Sequence, residues 1–403
     1  MTTSKSARVP RLRFKEFSGE WEKKKLGDIS LKSSVKNDDV HFTNILTNSA
    51  EFGVIKQSNF FDKVIANSKN IDSYYIVRNN DYIYNPRVSK YAKFGPIKRN
   101  KLGEDGIVSP LYYVFTIKNI NLNFLDSYFD TSNWYRFMYE NGNSGARSDR
   151  ISIKDSYFQQ MPILLPILKE QEKIGNFFTK LDRLIELQTK KVEQLKQLKR
   201  GYLQKMFPQK GETLPRLRFV GFSGEWEEKK LGDCLKEFSE KSKVENQHPL
   251  FSSTTTKIEL RHGKTTGSSN KGYKIVKHNN LILSPQNLWL GNININSLGT
   301  GIVSPSYKTF NIVNLNILFC KFFIKNNYMI QQYKLSSTQG ASIVRRNLDI
   351  DSFYKIKFLC PNPLEQEKIG NFFANLDKKI KLQEKKLSQL QEMKKGYLQK
   401  MFC

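Results

Sequence analysis

From Phe178 onward apolar residues fall three and four positions apart: Phe178, Leu181, Ile185, Val192 and Leu195, with Gln188 standing where another apolar side chain is due. The pattern returns at Phe373, Leu376, Ile380, Leu387 and Leu390, with Gln383 in the equivalent place. A narrow seam of this spacing between charged flanks predicts two long helices that pair as a coiled coil. Each opens beyond a proline (Pro166, Pro361) with glutamates in its first turn: Glu170 and Glu172, then Glu365 and Glu367. Carboxylates are favoured at that end of the helix dipole. Some 38 residues at about 1.5 Å each make a rod of roughly 57 Å. Antiparallel pairing would bring Gln188 and Gln383 together at the centre of the seam, a polar layer that costs stability but fixes register.

Elsewhere the period changes. Phe42–Phe115 alternates short runs (YYIV, DYIY, LYYVFTI) with Asn, Asp and Gly turns, and Lys274–Phe310 does the same with YKIV, LILS and KTFNI. These stretches predict strands. Leu122–Glu140 and Leu315–Tyr333 predict helices carrying aromatics: Phe129, Trp134 and Phe137, then Phe319, Phe323 and Tyr328. The fold class is therefore α+β, with two mixed domains at 1–166 and 215–361. Helices over 167–207 and 362–403 follow them, and 208–214 is a linker.

An internal repeat organises these elements. Pro10–Asp28 and Pro215–Asp233 agree at 16 of 19 positions, and Glu170–Phe207 and Glu365–Phe402 at 26 of 38. Between those anchors GIVSP alone is clearly shared, at Gly106–Pro110 and Gly301–Pro305. Near-constant ends with divergent middles describe a duplicated scaffold presenting two different surfaces. A solenoid would repeat shorter units more often.

Charge adds a partner. Lys and Arg number 66 against 38 Asp and Glu, a net charge of +28. Such an excess favours a polyanion, because neutralising phosphates releases condensed counterions. Cys234, Cys320, Cys360 and Cys403 form no C-x-x-C pair, and His41, His248, His262 and His278 show no metal-ligand spacing, so no metal site is expected. No run approaches the length of a membrane span and the first residues lack the apolar core of a secretory signal. Both point to the cytoplasm.

The A–x–B–A–y–B layout, the paired strings EQEKIGNFFTKLDRLI and EQEKIGNFFANLDKKI, and the twice-used GYLQKMF together resemble the specificity subunit of type I restriction–modification enzymes. The resemblance spans nearly the whole chain. It implies that each variable middle is a target-recognition domain reading one half of a split DNA sequence. It also implies that the helices, as an antiparallel coiled coil with pseudo-two-fold symmetry, dock two methyltransferase subunits to which translocating endonuclease subunits attach. Two unlike readers imply an asymmetric target, with half-sites about one helical turn, roughly 10 base pairs, apart. S-adenosylmethionine, ATP and magnesium would be held by the partners, and this chain would hold no cofactor.

Two pairs of segments are candidates for touching double-stranded DNA. Asn143–Arg150 and Thr338–Asn347 combine glycine with Arg147, Arg150, Arg345 and Arg346, suited to phosphate or guanine, and Asn347, suited to adenine. Asn85–Lys90 (NPRVSK) and Ser284–Trp289 (SPQNLW) offer Arg87, Ser89, Lys90, Gln286, Asn287 and Trp289 in turns.

Catalysis by the chain itself finds no support in sequence motifs. His262–Thr266 (HGKTT) has Ile258 where a phosphate loop needs glycine. Asn85-Pro86 is followed by Arg87 rather than by the second proline of an amino-methyltransferase motif. The GEWE strings at Gly19–Glu22 and Gly224–Glu227 read as turns carrying a packed tryptophan. A DNA reader serving another kind of restriction enzyme, or a coiled-coil adaptor that binds only protein, are the alternative classes.

Overall fold

The computed structural model describes residues 8–59, 71–143, 149–261, 269–339 and 346–403. The chain divides into two compact units, Met1–Thr189 with Lys386–Cys403, and Lys190–Lys385. The second of the two long helices, Pro363–Met401, thus contributes its end to the first unit, and the first, Leu168–Lys205, contributes its end to the second.

In the first unit an antiparallel sheet runs in the order Ser30–Ser33, Tyr113–Ile117, Tyr82–Tyr84, Ile97–Arg99. Its side chains alternate between two cores, as the pleat requires. Tyr82 and Phe115 stack at 5.5 Å and face a large aromatic core with Trp21, Phe124, Phe129 and Phe158. Ile83 and Val114 point the other way, into a smaller core with Leu46, Val54, Val77 and Val108. The sheet is buried on both faces, which is why the middle strand reads YIY without a polar position.

The second unit repeats this plan with Leu235–Phe238, Lys308–Ile312, Leu281–Leu283 and Ile293–Ile295. Leu281, Leu283 and Phe310 face the large core, while Ile282 joins Phe251, Val276 and Val303 on the reverse.

The stretches expected to be single helices are each broken in two. Leu122–Phe129 precedes Tyr135–Asn141, and Ile317–Phe323 precedes Asn327–Leu335. Asparagines cap the first helix of each pair and the restart in the second unit: the side chain of Asn121 accepts from the Phe124 amide, Asn316 from that of Phe319, and Asn326 from that of Met329. Each satisfies an amide that the first helical turn would leave unpaired.

The near-identical ends of the repeat pack on one another, which explains their joint sameness. Arg13 grips the buried carboxylate of Glu170 through two hydrogen bonds of 2.8 and 2.7 Å, and Arg218 grips Glu365 at 2.6 and 2.7 Å. The backbone amide of Asn121 donates to the Gln171 side chain, and that of Asn316 to Gln366. The GEWE strings are turns, with Gly19 and Gly224 at positive φ and Trp21 and Trp226 buried.

Gly175 lies where the long helix crosses the Asn121 cap. A Cβ there would sit 2.7 Å from Asn121 Oδ1 and from the Phe124 amide nitrogen. Gly201, in the same helix, has nothing within 4 Å of that position. We expect Gly201→Ala to stabilise by up to about 1 kcal/mol through helix propensity. Gly175→Ala should instead destabilise, by about 1–3 kcal/mol, because the contact outweighs that gain. Urea midpoints of the two variants test the sign; a stabilising Gly175→Ala would show that the crossing is loose.

Within each unit the long helices run antiparallel. In the first, Phe178 lies 5.8 Å from Phe402, Phe177 lies 5.0 Å from Tyr397, and Lys394 pairs with Asp182 at 2.7 Å. In the second, Lys199 pairs with Asp377 at 2.5 Å, Lys196 with Glu384 at 2.6 Å, and Tyr202 lies 5.0 Å from Phe372. Phe178, Leu181, Gln188, Val192, Phe373, Leu376 and Ile380 are buried, and Ile185, Leu195, Gln383, Leu387 and Leu390 partly so. The coiled-coil spacing read from the sequence matches this burial.

The repeated GYLQKMF tails complete the cores. Phe402 fills the first unit among Trp21, Phe124, Tyr128 and Phe178, and Phe207 fills the second among Trp226, Phe319 and Phe373. Each unit is therefore closed by the helix belonging to the other half of the sequence.

Candidate nucleic-acid interface

The turn Asn85–Lys90 leaves the end of the strand Tyr82–Tyr84. Buried Asn85 locks it: its Oδ1 accepts from the Arg87 amide at 3.0 Å and its Nδ2 donates to the Asn48 carbonyl at 2.9 Å. Gly95 lies directly beneath at φ +81°, where a Cβ would stand 2.1 Å from the Asn85 carbonyl oxygen, so only glycine fits.

This turn meets the second candidate segment of the same unit. Arg87 forms a bridge with Arg150, Val88 donates to the Asp149 carbonyl at 2.8 Å, and Ile151 donates to the Pro86 carbonyl at 2.9 Å. The Arg87 guanidinium stays largely exposed, 3.7 Å from the Asp149 carboxylate. Ser89 and Lys90 are exposed and Arg150 half-buried. The Ser89 hydroxyl accepts from the amides of Tyr91 and Ala92, so it shapes the turn as well as facing solvent.

The same meeting occurs in the second unit with different residues. The Arg346 amide donates to the Gln286 carbonyl at 3.4 Å, and the Arg346 guanidinium lies 5.4 Å from the centre of the Trp289 ring. Its Nη1 also donates to the Lys334 and Ser337 carbonyls at 3.3 and 3.4 Å, which fixes the guanidinium against the indole. Gln286 and Asn347 are exposed, and Asn287, Trp289 and Arg346 half-buried. Arg346 and Asn347 stand on the returning strand of a hairpin, Arg346–Leu348 against Ser337–Gln339, rather than in a loop. Arg147, Arg345 and the HGKTT string lie outside the described residues.

Sequence reading missed two neighbours. Tyr91 is exposed with the Lys90 ammonium 4.6 Å from its ring centre, and Asp149 is the counter-charge to Arg87. Lys90-Tyr91 adjacency, a cation beside an aromatic in a basic chain, is a signal that could have found the first. Each constellation offers exposed donors, acceptors and aromatic surface, the groups that contact phosphates and base edges. Among the described residues no group of three or more His, Cys, Asp or Glu is placed to hold a metal, and no helix is long and apolar enough to cross a membrane.

Residues 18–197 match the family model described as the type I restriction modification DNA specificity domain. Solved structures agree on the fold. The S subunit of a type I restriction–modification system from M. genitalium superposes with a TM-score of 0.57 at 15% identity, covering 98% of this chain and 99% of the other. A chain from a structure on the complex assembly and conformational transition of the type I R-M system gives 0.52 at 14% identity, covering 95% and 97%. No curated protein matches the sequence. The first half of the chain thus carries a DNA specificity domain, and the second half repeats its plan. Residues 18–197 carry the type I restriction modification DNA specificity domain, and the whole chain shares the fold of the solved S subunit.

Proposed function

We propose that this chain reads a split, asymmetric DNA target, one half-site per unit, and catalyses nothing itself. Two methyltransferase subunits would dock on the duplicated helices, endonuclease and translocase subunits would join through them, and S-adenosylmethionine, ATP and magnesium would belong to those partners. The observation that supports this reading is the paired convergence of candidate segments. In both units a turn leaving the middle of the sheet meets the segment before the long helix, yet the groups presented differ: Arg87, Ser89 and Lys90 in one, Gln286, Asn287 and Trp289 in the other. One scaffold with two unlike reading surfaces calls for two unlike half-sites. A chain of this fold also occurs in a solved type I assembly, which supports docking of partners.

Genome-wide mapping of methylated bases, in a host expressing the chain with its methyltransferase, tests the reading directly: a bipartite, non-palindromic motif is expected. Arg87→Ala should relax or weaken one half of that motif by about 1–3 kcal/mol, and Arg346→Ala the other half. Unchanged affinity for the full target at physiological salt would remove these arginines from the interface. Absence of duplex binding at low salt, with methyltransferase present, would favour a protein-only adaptor.

A further inference from the structure

One hollow occurs in both units, bordered by the first helix of the variable segment, an edge strand and the long helices, but its charge differs. In the first unit it measures about 360 Å³, and its lining holds Lys98, Arg99, Lys101 and Lys394 against Glu51, Asp126, Asp130 and Asp182. Four cations face four carboxylates. Asp130 pairs with Lys98 at 2.5 Å and Lys394 at 3.0 Å, and Asp126 with Arg99 and Lys101, both at 2.7 Å. Burial alone would raise the Asp130 carboxyl; the two lysines overcome it and hold the group down at about 2.

In the second unit the matching hollow is about 380 Å³ and carries Lys199, Lys257, Lys321 and Lys325 against Asp377 alone. The cap residues Asn121 and Asn316 align the two helices, so Lys321 and Lys325 stand where Asp126 and Asp130 stand in the twin. Lys199 matches Lys394 and Asp377 matches Asp182 in the repeat. Among the described residues, only Lys199 has a carboxylate in reach within the hollow. Lys257 meets Glu259 outside it, in a pair exposed enough to add little. Among the described residues, Lys325 Nζ donates to neutral oxygens only: the carbonyls of Thr255 (2.9 Å) and Thr256 (3.3 Å) and Asn294 Oδ1 (2.6 Å). Burial, and then Lys321, push its ammonium down to about 8.

Lys199 and Lys325 are half-buried and Lys257 and Lys321 exposed, and converging cations repel one another. We propose that the second unit's hollow is an oxyanion site that takes a phosphate group, the bound anion supplying the charge that Asp126 and Asp130 supply in the first unit. Lysines bind phosphate as point charges, and three of them with an amide nearby suit a multiply charged tetrahedral oxyanion. The hollow has the volume of a small-ligand site.

The twin provides a well-founded control, because Lys325→Asp recreates the charge that the first unit already accommodates. With the full chain at constant ionic strength, inorganic phosphate should raise the thermal midpoint saturably over chloride, and should not do so in Lys325→Asp. An equal rise in both, or none in either, overturns the proposal. Amine acylation of the unaltered chain near pH 8, read at Lys325 by peptide mass spectrometry, distinguishes the source without relying on a variant. Protection by inorganic phosphate alone assigns the site to free phosphate esters, and protection by a random-sequence duplex assigns it to backbone phosphate. Protection by neither overturns it.

Discussion

Phe402→Ala is expected to destabilise the first unit by about 3–5 kcal/mol while leaving the second nearly unchanged. Its ring is buried between Trp21, Phe124, Tyr128 and Phe178, at centroid distances of 6.1, 5.4, 6.3 and 5.8 Å. Truncation removes the whole phenyl ring from among four aromatic partners and leaves a cavity that those rigid rings cannot collapse to fill. Phe207→Ala should do the same to the second unit, where the ring lies among Trp226, Phe319 and Phe373. The informative feature is the crossing: Phe402 is encoded in the second repeat and Phe207 in the first. Hydrogen exchange resolved by segment reads the outcome. Loss of protection over the sheet Tyr82–Tyr84 and Tyr113–Ile117 in Phe402→Ala, with Leu281–Leu283 unaffected, is the expected result. Loss confined to the second unit would mean that the tails do not close the cores as described.

What the sequence displayed, and what it concealed, follows from the range of the interactions. The long helices were legible because a 3–4 spacing of apolar residues sustained from Phe178 to Leu195 is a local signal, and burial follows it residue by residue. Strand cores such as YIY were legible for the same reason. The closure by Phe402 and Phe207 was not: an aromatic at the end of a helix gives no hint that its neighbours include Trp21, nearly the whole chain away. The breaks after Phe129 and Phe323 were hidden because the stretches Leu122–Glu140 and Leu315–Tyr333 keep their aromatics throughout, and only the Asn326 cap marks a restart in the second. For the candidate interface, the individual segments were visible as polar turns. Their meeting, Arg87 with Arg150 and Gln286 with Arg346, is set by sheet order, to which local composition is blind. The charge inversion at Lys325 lies at an unremarkable lysine in a lysine-rich chain and emerges only when the two units are compared.

Arg13→Ala should cost about 3–5 kcal/mol, because it strands a carboxylate that the fold has taken out of water. The Glu170 side chain is 0% exposed and Arg13 13%, and the guanidinium meets both carboxylate oxygens while a third N–H reaches the Gly19 carbonyl at 2.5 Å. The hydrogen bond to Glu170 raises the Arg13 guanidinium above its ordinary range. The net worth of the pair is a separate matter: much of its Coulomb energy offsets the desolvation of both groups. The double substitution Arg13→Met with Glu170→Leu should therefore recover most of the loss, whereas Glu170→Leu alone leaves the guanidinium able to turn outward to solvent and should cost less than Arg13→Ala. A double-mutant cycle on urea unfolding measures the coupling, expected at 2 kcal/mol or more, about what a contacting pair in one network shows. The duplicate offers an independent repetition, since Arg218 holds Glu365 with the same bidentate geometry and reaches the Gly224 carbonyl at 2.6 Å. Additive single effects in both copies would show that the arginines merely cover the turns at Gly19 and Gly224; strong coupling in both would mean that this clamp is what fixes the start of each long helix to the domain before it.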